Sequence, residues 1–455
     1  MENRAQLSVT FKHLGQVMII GLFFGCLVAV VAHVFVVGVQ YFSAQRTAVA
    51  PIQAFGLTLH YSQVFTLTIA ATAIYILKRT LGIGRWHGPA DSIYAAHRTD
   101  NELNVKTGLS STLAAFLSAS GGASVGQYGP LVHFGAVIGS GLKRILKSDM
   151  TTDVFIGCGV AAAIAAGFHA PIAGIVFAHE AVLRHFSFRA LTPIAISSIT
   201  SVWFATAIFG GDPLFTLNAV ANDLLPMVPV LLASGLVFGI VALLFMLALL
   251  KSAAVASRIA LPPLALMLIA AVACGGVAIF VPEILGSGVG EINLIFSDGY
   301  TIGFLFLLFI LKLLATSICI GFGLFGGVFS PAAMIGAAAG GFIGKFMAMI
   351  GFTTVPHLLP VAGFAAVTAA VVGAPISVVL VVFELTQSYE FAVAAMLAAV
   401  IATFFTSLVF GHSFFDEQLL RRGIDLSRGR GDIELQAQPI SNVVSHDFVS
   451  ASGDI

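Results

Sequence analysis

Charge is what this chain has least of. Of its 455 residues only 9% are Asp, Glu, Lys or Arg, against 58% hydrophobic, and the mean hydropathy is +1.01. A soluble domain with so few charges would be covered by one large apolar patch, so a soluble fold is excluded. The 21 basic and 21 acidic residues cancel, which leaves no basic surface for nucleic acid. Cysteine is scarce as well. Cys26, Cys158, Cys274 and Cys319 lie in apolar segments without paired spacing and read as small core residues, neither a disulfide frame nor a metal site. Clusters of Asp, Glu or His inside apolar stretches are missing, which argues against a metal-ion carrier, and no segment calls for a cofactor. No cleaved signal peptide is expected, because a short apolar stretch followed by a small-residue cleavage site is missing.

What is present is apolar length. Runs at 17–37, 228–250 and 302–320 are long enough to cross a hydrocarbon core of about 30 Å. The expected fold is all-α and polytopic. Basic residues sit in islands: Arg4 and Lys12, then Lys143, Arg144 and Lys147, then Arg421, Arg422, Arg428 and Arg430. Positive charge stays on the cytoplasmic side, so both termini are expected there, in a cell membrane of the bacterial inner-membrane kind. The expected organisation is a cytoplasmic segment at 1–14, a membrane domain at 15–423 in two halves (15–210 and 211–423), and a polar cytoplasmic tail at 424–455.

Several apolar runs are broken by Gly or Pro, near 121–130, 169–171, 321–331 and 373–375. Broken backbone at membrane depth persists only where protein buries it or it lines a watery cavity. The breaks also repeat. Gly126-Gln127-Tyr128-Gly129-Pro130 overlays Gly327-Val328-Phe329-Ser330-Pro331, and Gly135 and Gly139 then fall on Gly336 and Gly340. Further on, 159–180 overlays 363–384, with a shared Ala-Pro-Ile and a matched terminal Glu, Glu180 and Glu384. Related halves with interrupted helices at corresponding places point to a site between them at mid-membrane. An odd number of spans per half would make the repeat inverted, the arrangement favoured here. Gly-x-x-x-Gly at 135/139 and 336/340 predicts close helix packing.

A Gly-rich turn with Pro just inside a helix start leaves unpaired N–H groups and a partial positive charge, a ready anion site. Two such starts aimed at one point would hold an anion weakly, as conduction requires. A full buried charge would trap it.

At these residues the sequence resembles the CLC chloride channel and transporter family. Gly327–Pro331 matches its G-x-F-x-P signature, and Gly126–Pro130 sits where its G-[KR]-E-G-P signature belongs. Trp86-His87-Gly88-Pro89 sits at its G-S-G-I-P stretch. Counting back from Pro130 sets His87-Gly88 on the Ser-Gly, whereas anchoring on Pro89 sets Trp86 on the Ser. Phe383–Thr386 resembles a further segment, and Phe415 lies where a pore-facing Tyr belongs. The resemblance spans nearly the whole membrane region and implies an inverted-repeat homodimer with one anion pathway per subunit, not an enzyme. On it, His87, Gly88, Tyr128, Gly129, Val328, Phe329 and Phe415 surround the anion route.

The departures bear on mechanism. Tyr128 replaces the family's gating glutamate, and a phenol with a pKa of about 10 cannot replace its proton chemistry. The inner proton-transfer glutamate falls at Ala181, and the pore Tyr at Phe415 loses a hydroxyl. The expected function is therefore passive, uncoupled passage of a small monovalent anion through the bilayer, chloride by default. An exchanger with a non-standard proton route and a non-conducting sensor are the alternatives. His87 raises bicarbonate, because imidazole can donate and accept where chloride needs only donors. Tyr128 reads either as an aromatic plug or as a hydroxyl donor. Lys312 either adds potential to the pathway or snorkels to an interface. Glu180 and Glu384 are expected to cap or pair at an aqueous edge, and His133, His169 and His179 to pack. Gly122–Gly126 also spells the G-x-S-x-G of serine hydrolases around Ser124, but that motif needs a strand–turn–helix setting.

Overall fold

The computed structural model describes residues 2–54, 57–98, 100–146, 148, 150–210, 215, 224–351, 357–411 and 413–426, with side chains from residue 15. Lys147, Arg428, Arg430 and most of the expected tail lie outside the described residues.

The first half is built of α1 (Glu2–Ala48), α2 (Ser62–Thr80), α3 (Pro89–His97) and α4 (Val105–Ser120), then α5 (Tyr128–Ile145), α6 (Thr152–Phe168), α7 (Pro171–Phe177) and α8 (Phe188–Phe209). The second half follows the same order with α9 (Val228–Arg258), α10 (Pro263–Ala278), α11 (Val289–Phe296) and α12 (Ile302–Gly321), then α13 (Phe329–Met349), α14 (Leu358–Val372), α15 (Pro375–Thr386) and α16 (Tyr389–Val409). A short α17 (Phe414–Leu420) closes the described chain, and a small hairpin, Ile52–Ala54 with Leu57–Leu59, follows α1. α1 runs from Glu2 without a break, so the segment expected to be cytoplasmic, residues 1–14, continues into the first span.

Six of the described helices are long and apolar enough to cross a membrane. Others are short because the sequence stops them. Ala170-Pro171 and Ala374-Pro375 start α7 and α15 with Pro at the first helical position, immediately after left-handed residues His169 (φ 52°) and Gly373 (φ 78°) end α6 and α14. The two α7 and α15 starts are the same turn used twice. Nine-residue α3 rises only about 14 Å, half of a hydrocarbon core.

The centre is made by α5 against α6 and α13 against α14. Every residue of α14 is buried, as a helix apolar all round requires, and its one hydroxyl, on Thr368, donates to the Phe364 carbonyl. The predicted small-residue packing is what brings these pairs together. A methyl group at Gly135 would stand 2.1 Å from the Gly159 carbonyl oxygen, and one at Gly336 2.1 Å from that of Gly363. Gly139 and Gly340 press in the same way on Phe155 and Leu359.

The halves are joined by two reciprocal contacts. Gly126 and Gly327 exchange N–H···O=C bonds of 2.7 Å each in an antiparallel bridge. Glu180 accepts from the N–H groups of Ile376 (3.0 Å) and Ser377 (2.8 Å) at the start of α15. Glu384 accepts from Ile172 (2.9 Å) and Ala173 (2.8 Å) at the start of α7. The expected capping role holds, and each carboxylate caps the other half. Lys312 does not snorkel. It is fully buried and donates to the carbonyls of Ile284 (3.0 Å) and Gly286 (2.8 Å). Cys274 and Cys319, distant in sequence, meet with their sulfurs 3.7 Å apart and remain free thiols in the core.

Candidate functional site

Four helix starts converge on a cavity of about 20 Å³ lined by Pro89 of α3, Tyr128 and Gly129 of α5, Phe329 of α13 and Phe415 preceding Asp416 in α17. The approach is close because glycine allows it. A Cβ on Gly129 would lie 3.1 Å from Gly327 Cα and 3.3 Å from Pro89 Cγ. The four starts are not electrically equal. Asp91 sits in the first turn of α3, and Asp416 and Glu417 in that of α17, whereas α5 and α13 carry no acid there. Among these four, the positive ends without an acid in the first turn are those of the two repeated turns, at Tyr128 and Phe329.

Tyr128 fills that place with its ring. It packs tilted against Phe168 at 3.9 Å and meets Phe329 edge-on at 6.0 Å, and Phe168 is 5.0 Å from Phe329. Its seat depends on Gly167, where a Cβ would come 2.9 Å from the ring. The ring is buried among these aromatic neighbours. The hydroxyl lies near the Gln127 side chain without reaching hydrogen-bond geometry and has no partner among the described residues.

On one side of this cavity lies the turn at 86–88. The His87 N–H donates to Ser111 Oγ (2.9 Å), and the Gly88 N–H to Asp91 Oδ2 (2.9 Å). Gly88 was expected among the anion-binding residues, but its backbone donor is occupied by the helix's own cap. The His87 ring packs edge-on against His133 at 6.1 Å, and His133 Nδ1 is bonded to Ser92 Oγ at 2.7 Å. His87 Nδ1, His133 Nε2 and Trp86 Nε1 are buried with no partner among the described residues. Neither His87 nor Val328 lines the small cavity; Val328 is buried at the N-cap of α13.

Asp91 takes hydrogen bonds from Arg85 (2.6 Å) and Arg422 (2.8 Å), tying the end of the membrane region to the start of α3. Burial alone would raise this carboxyl, yet the Arg85 hydrogen bond and the Arg422 charge hold it at about 2. Burial lowers the His87 imidazole below its ordinary value; Asp91 opposes this, and Arg85 and Arg422 add to it. Ala181 lies buried in the π-helical turn Ala178–Leu183, with no carboxylate of its own beside Glu180. Ser124, the nucleophile of the hydrolase reading, is fully buried and shares a 2.8 Å bond with Thr316 Oγ1 in a helix break, without the strand that reading needs.

An all-helical membrane fold whose repeated helix starts meet at one buried point defines a class of anion-handling proteins. The chain belongs to the CLC family of anion transporters and channels: a family model described as voltage gated chloride channel matches residues 68–407. A ClcB-like chloride channel protein of Ralstonia nicotianae is 30% identical over 364 residues, covering 78% of this chain and 82% of that one. The H(+)/Cl(-) exchange transporter ClcA of Vibrio cholerae is 28% identical over 312 residues, 66% of each chain. Among solved structures, a slow cyanobacterial Cl-/H+ antiporter shares the fold with a TM-score of 0.78 at 21% identity, over 89% of this chain and 97% of that one.

Proposed function

We propose that this protein passes a small monovalent anion across the membrane passively, uncoupled from protons, by a route through the cavity between Tyr128 and Phe329. The observation that carries the reading is a set of unsatisfied polar atoms at the helix-start turns. Buried polar groups nearly always find partners, yet Trp86 Nε1, His87 Nδ1, His133 Nε2, Tyr128 Oη and Ser330 Oγ have none among the described residues. All belong to or adjoin the turns that open α3, α5 and α13. An ion or water on the route would satisfy them.

Lack of coupling rests on residue chemistry. Tyr128 and Ala181 stand where the resembled family places its two working glutamates, and neither bears a carboxylate. Glu180 and Glu384 are engaged as helix caps, and neither lines the small cavity. Chloride is the default cargo. Bicarbonate is the second reading, favoured by two imidazoles with open nitrogens in contact at 6.1 Å, since a ring nitrogen can accept the proton bicarbonate offers. The homodimeric state and cytoplasmic termini are part of the same proposal.

The test is flux from proteoliposomes loaded in turn with chloride and bicarbonate, with internal pH recorded. Anion flux with no linked proton movement is the expected outcome. Proton uptake driven by an anion gradient would replace the reading with exchange, and no flux of either anion would leave a sensor.

A further inference from the structure

The wall of the central cavity is apolar on every side. Val132, Ile164, Phe177 and Val372 close it between the helix starts, and none of its described lining residues is acidic, basic or an amide. Tyr128 carries the one polar side-chain atom among them, a neutral phenol oxygen that is itself buried. The unpartnered atoms of Trp86, His87, His133 and Ser330 belong to residues outside this lining. Ile164 lies toward the end of α6 and Val372 at the end of α14, so both halves supply the apolar surface.

Donors at the two acid-free starts are few. A helix start leaves four N–H groups without an acceptor in the helix. Pro130 and Pro331, each at the third helical position, remove one from α5 and one from α13. The next N–H groups, of Leu131 and Ala332, already donate to the carbonyls of Gln127 (3.3 Å) and Val328 (3.0 Å). What remains is a few neutral backbone amides, those of residues 127–129 and 328–330.

An ion entering such a place gives up water and finds little to replace it. The pull of a helix dipole depends on the ion's charge and is much the same for every monovalent anion. The cost of leaving water falls as the ion grows, because a charge spread over a larger radius is less strongly hydrated. Contact with ring and methyl carbons adds dispersion, which favours the more polarisable ion. We propose that the central cavity selects by ease of dehydration, passing weakly hydrated bromide ahead of chloride and holding back the strongly hydrated fluoride and bicarbonate. Its volume of about 20 Å³ holds one water-sized guest, which keeps the contest among compact ions. The inference rests on the transport reading and favours its chloride form over its bicarbonate form.

The experiment measures flux of bromide, chloride, fluoride and bicarbonate from proteoliposomes, one anion at a time, for the full-length protein, Val372→Thr and Phe415→Tyr. Wild type is expected to pass bromide about threefold faster than chloride, and fluoride and bicarbonate at least about tenfold slower. Each variant adds one hydroxyl to a wall residue at little change in volume and is expected to lower the bromide-to-chloride ratio about threefold. The variants lie on different elements, so the loss of one through misfolding leaves the other. Chloride, fluoride or bicarbonate ahead of bromide in wild type overturns the proposal, and so does a ratio that neither hydroxyl changes. Proton-linked flux would replace the uncoupled reading and leave the anion order readable. If no anion crosses, the transport reading fails and the cavity is tested by competition for bound radiolabelled chloride. Displacement by bromide at a lower concentration than by unlabelled chloride supports the selection; bromide no better than chloride, or no bound chloride, overturns it.

Discussion

On α4, Ser111 accepts the N–H of His87; on α12, at the matching place in the repeat, Lys312 donates to the carbonyls of Ile284 and Gly286. Each holds the turn before a short helix, α3 or α11, by opposite chemistry. One turn presents an imidazole with an open nitrogen. The other presents backbone to a cavity that contains Arg46. At the centre, by contrast, Gly126 and Gly327 exchange identical bonds. Contacts made by backbone alone have stayed the same in both halves, while the side chains at the two mouths have diverged. Symmetry therefore identifies the scaffold, and its failures identify where the two mouths differ in chemistry.

The comparison is sharpened first at the scaffold. Gly135→Val and Gly336→Val each force a side chain against a carbonyl 2.1 Å away. Each is expected to cost at least about 3 kcal/mol and to abolish the monodisperse peak on size exclusion. If only one did so, the halves would not be equivalent at the core. Next, Lys312→Met strips two buried carbonyls of their donor and is expected to cost about 3 kcal/mol by thermal unfolding in detergent. Ser111→Ala should cost about 1 kcal/mol. Equal losses would erase the asymmetry between the mouths.

At the central cavity, Tyr128→Ala removes a ring packed on both Phe168 and Phe329 and is expected to raise anion flux about tenfold, a barrier change of about 1.4 kcal/mol. Phe329→Ala, which leaves the Tyr128–Phe168 contact in place, should do less. The reverse order would move the constriction into the second half. The smallest effect concerns pH. Burial lowers the His87 imidazole below its ordinary value, so positive charge appears only at lower pH than on a free imidazole. Flux is expected to rise about twofold as pH falls below the ordinary imidazole range, and His87→Ser should flatten the profile. A wild-type response centred above pH 7 would contradict the burial argument.

Much of this was legible from short-range patterns. Gly-Pro turns mark helix starts, and the Gly126 and Gly327 motifs placed Tyr128, Gly129 and Phe329 around one cavity, with Phe415 beside them. Those residues are specified by local backbone chemistry, which a sequence displays. Other features depend on which distant side chains meet. His133 read as packing and is buried against Ser92, but that its ring also abuts His87 has no sequence signal. Arg46 is a lone cation near the end of a long apolar run, and only the fold brings it to Gly122 and Gly286. The bond from the Gly88 N–H to Asp91, three residues on, is another contact that the sequence pattern did not display. The contact of Cys274 with Cys319 likewise has no sequence signal.

The crossed clasps of Glu180 and Glu384 reach beyond capping. Each half lacks the anion that its own helix start needs and supplies the one its counterpart needs. Neither half on its own would be electrostatically complete, so neither is a self-sufficient folding unit. The two halves are thus interlocked like the partners of an interface, each closed by a charge that the other carries.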